Sequence, residues 1–163
     1  ATILTMVQKK SPFVQITRAN VEGYLAKLKE NTPAAWGQLT PQHMVEHMEF
    51  TLRIAAGEIQ DFEFSTPAEH LEKFHDSVYN FRAMPRDFKH PLLSQDSLEP
   101  LRHPDLKTAK AKLLEAWDTF NAYFKANPDA QTKNMVFGML DKFEWDLLNI
   151  KHFNHHFEQF GIL

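Results

Sequence analysis

The stretch Asp141–Gly161, DKFEWDLLNIKHFNHHFEQFG, decides how the rest of the chain is read. Asp141 followed by Glu144 is a capping-box start, in which each side chain can satisfy the other's free backbone N–H. Gly161 supplies the stop, because glycine enters a left-handed cap without steric penalty. At about 100° per residue, Glu144, Lys151 and Glu158 fall on one charged stripe, while Phe143, Ile150, Phe153, Phe157 and Phe160 spread over a wide apolar side. His152 and His156 are four apart and stand one above the other, with Trp145, Leu148 and Gln159 on the same face. His155 turns toward Lys151. Two imidazoles at this spacing can grip one divalent ion, since both nitrogens reach a common point. The plainer reading is a hydrogen-bonded pair in a polar part of the core. A metal site therefore requires a third ligand from elsewhere in the chain.

That ligand is sought on another inward helix face. Thr40-Pro41 is a start signal, an N-cap hydroxyl followed by proline at the first helical position. It opens a helix from Pro41 to about Ala56, stopped at Gly57. Gln42, Glu46, Glu49 and Arg53 form its wet stripe. His43, His47, Phe50, Thr51 and Ile54 lie toward the interior. A lone histidine on an apolar face is usually a core residue, but His47 coincides with a histidine pair on a second inward face.

The remaining segments complete a helical pattern. Residues 1–19 read as an irregular lead-in. Asn20 caps a first helix from about Val21 to Glu30, and NTPAAWGQLTP is a connection. Pro67–Phe81 forms a shorter helix with Ser65 or Thr66 as cap. Its His70 and His75 are five apart and read as surface or satisfied polar groups. Residues 81–104 hold Pro85, Pro91, Pro100 and Pro104, too many for one long helix, and a loop of this length suits a pocket lid. Arg82, Arg86 and Lys89 cluster there, as an anion site or, more simply, a solvated loop. Asp105 to about Asn127 is a long helix with Leu106, Ala109, Leu113, Trp117, Phe120 and Phe124 recurring at three and four. Residues 127–140 read as a connection without strand alternation. The expected architecture is a single all-α domain over residues 1–163. It is an antiparallel four-helix bundle with a long irregular connection between the second and third main helices.

Composition narrows the function. With 163 residues and 43% apolar content, the chain can bury a sizeable core. A formal charge of −3 gives no general attraction to nucleic acid or anionic membrane. The absence of cysteine excludes disulfides, thiolate ligands and a cysteine nucleophile. No apolar run approaches the roughly 20 residues of a spanning helix, and ATILTMVQKK lacks the pattern of a signal peptide. A cytoplasmic protein is expected.

Facing helices of a bundle can aim side chains at one interior point. His47, His152 and His156 would supply three neutral nitrogens and leave a coordination position open, as catalytic sites do. A divalent ion there would acidify water or capture an incoming thiol. Gln159 is placed to support the pair from outside the ligand set. Zinc, nickel, iron and manganese all suit such ligands.

These segments resemble the DinB/YfiT-like superfamily of metalloenzymes. Trp36-Gly37-Gln38-Leu39-Thr40-Pro41 leading to His47 is similar to its first ligand segment. Phe137-Gly138 together with the HxxHH element at 152–156, ending in Gln159-Phe160-Gly161, is similar to its second. The resemblance implies a four-helix bundle with His47, His152 and His156 as ligands and His155 as the non-ligating neighbour. His43 is an additional histidine able to replace or supplement His47. It also implies a small-molecule substrate, a low-molecular-weight thiol such as bacillithiol or mycothiol in S-transferases and isomerases, or water in hydrolases, and a homodimer. No general base is assigned, since Glu46 and Glu49 fall on the wet stripe and His43 or His155 are only candidates by proximity. Trp36 or Phe88 could line a pocket mouth. The alternative function is a non-enzymatic bundle that binds a small ligand or is merely steadied by a metal.

Overall fold

The computed structural model describes residues 12–86 and 97–163. Five helices and one short hairpin follow in chain order: α1 Arg18–Ala26, α2 Pro41–Ala55, α3 Ala68–Ser77, α4 Leu106–Ala126, β1 Thr132–Asn134, β2 Gly138–Leu140 and α5 Lys142–Gln159. Lys89 and Phe88 of the sequence reading lie outside the described residues, as do residues 1–11 of the lead-in.

The start signals operate locally as their chemistry requires. Thr40 Oγ1 accepts from His43 N, Asp105 Oδ1 accepts from Thr108 N, and Asp141 with Glu144 closes a reciprocal capping box. Two cap expectations are corrected. Thr17, not Asn20, caps α1, because its hydroxyl accepts from Asn20 N at 3.1 Å while the Asn20 side chain donates to Gln15 O. Neither Ser65 nor Thr66 caps α3. Their hydroxyls donate to Met135 O and Val136 O, which ties this segment to the hairpin.

The core runs between α2, α4 and α5. Met44, Met48 and Leu52 of α2 join Ala109, Leu113, Ala116 and Phe120 of α4 and Trp145, Phe153 and Phe157 of α5 in one buried cluster. Phe153 meets Trp117 and Phe157 edge to face, with ring centroids 5.5 and 5.4 Å apart. The all-helix expectation is corrected by the hairpin, in which Thr132 pairs with Leu140 and Asn134 with Gly138. Its strands are too short for alternation to show in sequence. The Thr132 hydroxyl donates to Ala55 O and accepts from the Trp145 indole, both at 2.7 Å, so the hairpin bolts the end of α2 to the start of α5. Among the described residues no helix is long and apolar enough to cross a membrane.

The predicted wet stripe of α2 and the charged stripe of α5 are both largely covered. Glu46 and Glu49 of α2 are buried beneath residues 99–103. Arg102 N donates to Glu46 Oε1 at 2.6 Å, the Arg102 guanidinium reaches Glu46 O and Glu49 Oε1, and His103 Nε2 meets Glu49 Oε1 at 2.7 Å. On α5, Glu144 and Lys151 are buried beneath α3 and the turn after it, and only Glu158 is exposed. Tyr79 donates to Glu144 Oε2, His75 pairs with the same oxygen, and Lys151 Nζ donates to Asn80 Oδ1. Periodicity located these charges correctly on one face. It could not show that loops carrying complementary groups would cover them.

Burial alone would raise the Glu49 carboxyl, but hydrogen bonds from His103, Arg53 and Arg102 outweigh it and hold it below its ordinary value. The ionised carboxylate therefore adds stability above the unfolded pKa, and that contribution is lost as pH falls through the folded one. Glu49→Gln is expected to cost about 2 kcal/mol at neutral pH. The gap to wild type, read from urea melts, should shrink steadily below pH about 4.5. A gap independent of acid would mean that Glu49 is not ionised in its socket.

Candidate metal centre

α5 places His152 and His156 one turn apart, and α2 brings His47 to meet them. The three imidazoles offer ligand nitrogens that lie within 4.8 Å of one another. His47 Nε2 is 3.0 Å from His152 Nε2, which is 3.1 Å from His156 Nε2. With metal–nitrogen bonds of about 2.0–2.1 Å, neighbouring ligand nitrogens sit about 3.0–3.4 Å apart. The spacing is thus that of adjacent corners of one coordination polyhedron. A proton on His152 could serve one neighbour at a time, whereas a divalent cation accepts all three lone pairs at once. The three histidines could hold a metal ion, and the donor set fits one.

The protonation state of His156 follows from its neighbours. Gln159 Nε2 donates to Trp36 O at 2.9 Å, and a carbonyl can only accept, so the amide orientation is fixed. Gln159 Oε1 must then be the acceptor at 2.8 Å from His156 Nδ1, which carries the proton and leaves Nε2 bare. Burial lowers the His156 pKa to about 4, against the raising effect of the Gln159 hydrogen bond, so the ring is neutral at physiological pH. The loop behind Gln159 is closed twice, since Ala35 N also donates to Gln159 O at 2.7 Å. Gly37 completes it with φ +77°, and a Cβ there would meet Gln159 Nε2 at 3.0 Å.

The other candidates stand outside the trio. His43 Nε2 faces Glu99 O at 2.9 Å and must donate to it, while Nδ1 accepts from the Thr40 hydroxyl at 2.6 Å. His155 packs edge to face on Trp36, and burial lowers its pKa. The Arg86 guanidinium covers the other part of Trp36 at 4.0 Å from the ring centroid. Glu46 lines the same cavity, but one oxygen accepts from Arg102 N and the other from Gln42 Nε2, so it is not free to act as a base. No carboxylate joins the three imidazoles among the described residues.

A cavity of about 390 Å³ opens onto the histidines. Phe50, Ile54 and Leu148 give it apolar walls, and Val136 and Phe137 of the hairpin turn close one side. Asn134 Oδ1 shapes that turn by accepting from Val136 N and Phe137 N, both at 2.9 Å. The size is that of an ordinary small-molecule site. Sequence reasoning missed Asn149, which also lines the cavity. Its position three residues before His152 was the signal available.

No protein-family model, curated protein or solved structure matches the chain.

Gln159→Leu should lower zinc affinity about 10–100-fold while retaining all three ligands, because His156 loses the acceptor that fixes its tautomer. Gly37→Ala should act in the same direction and more weakly. Competition with a chromophoric chelator measures both, and unchanged affinity in Gln159→Leu would remove Gln159 from the site's support.

Proposed function

We propose that the chain is a metal-dependent enzyme, built as an antiparallel four-helix bundle of the DinB/YfiT-like kind. Its open three-histidine site would activate water or a low-molecular-weight thiol. The observation that carries this reading is the approach of three imidazole nitrogens at the wall of a small-molecule cavity. Structural metal sites are closed by a fourth protein ligand, whereas here three histidines line a cavity and no further His, Asp or Glu joins their group among the described residues. Each helix has a separate task. α2 delivers His47, α5 delivers His152 and His156, and Gln159 holds His156 with its bare nitrogen inward. The apolar walls limit bulk water and strengthen electrostatic interactions inside. When bound, the ion supplies Lewis acidity toward water, a thiol or a carbonyl. Any thiol must arrive from outside, because the chain has no cysteine. The product is a hydrolysed substrate in the first case and an S-substituted thiol in the second.

Zinc, nickel, iron and manganese are all compatible with the donors. Elemental analysis of untagged protein should find about one such ion per chain, and His152→Ala with His156→Ala should abolish it. Chelation should remove turnover of activated esters or of thiol–electrophile pairs while shifting the melting temperature little. Protein that takes up no metal at micromolar zinc would defeat the proposal. Metal whose removal unfolds the chain would favour the merely steadied bundle.

A further inference from the structure

Arg86 and Arg102 are the arginines on the cavity, and Glu46 and Glu99 are its carboxylates. Arg102 is committed to the fold, since its guanidinium donates to Glu46 O at 2.7 Å and to Glu49 Oε1 at 3.2 Å. Arg86 is different. Its side chain is exposed, and no ion pair joins it to a carboxylate among the described residues. The guanidinium instead lies over the Trp36 ring, 4.0 Å from the centroid. An aromatic face attracts the charge of a guanidinium but takes none of its five N–H donors. The platform is itself fixed. Trp36 O accepts from Gln159 Nε2 at 2.9 Å, and the indole packs edge to face on His155. Trp36 therefore holds Arg86 in place at the cavity while its N–H edge stays available.

We propose that Arg86 on its Trp36 platform is an anion subsite of the cavity, which takes the carboxylate of a small monocarboxylic acid with an apolar body. A planar carboxylate meets the edge of a guanidinium through two parallel hydrogen bonds. One uncommitted cation balances one negative charge. A doubly charged phosphate would bring a second charge, uncompensated, into a cavity that already holds Glu46 and Glu99. The apolar walls at Phe50, Ile54 and Leu148 suit the rest of the molecule. Ring-centroid steps of 5.6 Å from Trp36 to His155 and 4.8 Å from His155 to His156 connect the platform to the imidazoles. An acid of metabolite size gripped by Arg86 can thus set its other end beside them. That placement rests on the metal reading of the site; the grip on the carboxylate does not.

The test uses the full chain, zinc-free and zinc-loaded, and three probes with one apolar body: phenylbutyrate, phenylbutyramide and phenylbutylphosphonate. Dissociation constants are read by ligand-observed NMR for wild type, Arg86→Gln and Arg86→Lys. Zinc-free wild type should bind the acid more tightly than the amide, and added salt should narrow the gap. Arg86→Gln should weaken the acid about 10-fold and leave the amide unchanged. It should also keep its zinc and its melting temperature, since the side chain is exposed. Arg86→Lys, which retains the charge without the fork, should recover only part of the loss. Acid affinity unchanged in Arg86→Gln, equal losses for acid and amide, or no saturable acid binding to wild type would overturn the inference. So would an acid that binds only with zinc, because its carboxylate would then sit on the metal. Phosphonate binding more tightly than the acid in an Arg86-dependent way would overturn the choice of a single charge. Arg86-dependent acid binding by a chain that takes up no zinc would refute the metal reading and leave this one standing. Zinc uptake without any Arg86-dependent preference for the acid would do the reverse.

Discussion

Three imidazole nitrogens crowd together at 3.0 and 3.1 Å, a spacing at which a ring proton can bridge only one pair at a time while a divalent cation could take all three lone pairs. That electrostatic constraint organises much of the molecule. His156 is too buried to charge at physiological pH, so a proton on that ring cannot relieve the crowding. The fold nevertheless holds the ring in place, with the Gln159 amide locked between the Trp36 carbonyl and His156 Nδ1. The loop at Gly37 meets Gln159 twice, through Trp36 O and Ala35 N, and so ties the end of α5 to the segment that leads into α2.

The same economy governs the outer faces of α2 and α5. Each carries a row of charged groups, and the buried members of each row sit in sockets. Glu46 and Glu49 receive the backbone of residues 102–103 and the Arg102 and His103 side chains, which pins the far end of the long connection beside the cavity. Glu144 receives Tyr79 and His75, and Lys151 caps Ser77 O and Asn80. Glu144 is held below its ordinary pKa because backbone and side-chain hydrogen bonds overcome the burial that would raise it. Buried charge is costly unless met by partners of matching geometry, so these sockets specify where the irregular segments lie.

Much of this was legible in sequence. Caps at Thr40, Asp105 and Asp141 are local chemistry, readable from a few adjacent residues. The shared face of His152 and His156 follows from helical geometry, and the inward placement of His47 from the apolar company of Phe50 and Ile54. What escaped depends on contacts distant in the chain. Glu46 looks solvated until residues 99–103 fold over it, and His43 looks like a ligand until Glu99 O takes its Nε2. Asn20 resembles a cap as strongly as Thr17 does, and only the backbone distinguishes them. The hairpin is stitched by the Thr132 hydroxyl and by the bonds from Ser65 and Thr66, none of which leaves a periodic trace.

α5 also carries the bond that fastens the start of the described chain: Asn154 grips both the N–H and the carbonyl of Val14, each at 2.9 Å and across 140 positions. Because synthesis runs from the N-terminus, α5 leaves the ribosome after every segment it secures. His47 emerges 105 positions ahead of His152. Until that helix appears, the nascent chain holds His47 apart from His152 and His156, and Val14 apart from Asn154. The three imidazoles that could hold an ion can therefore meet only once translation has passed His156.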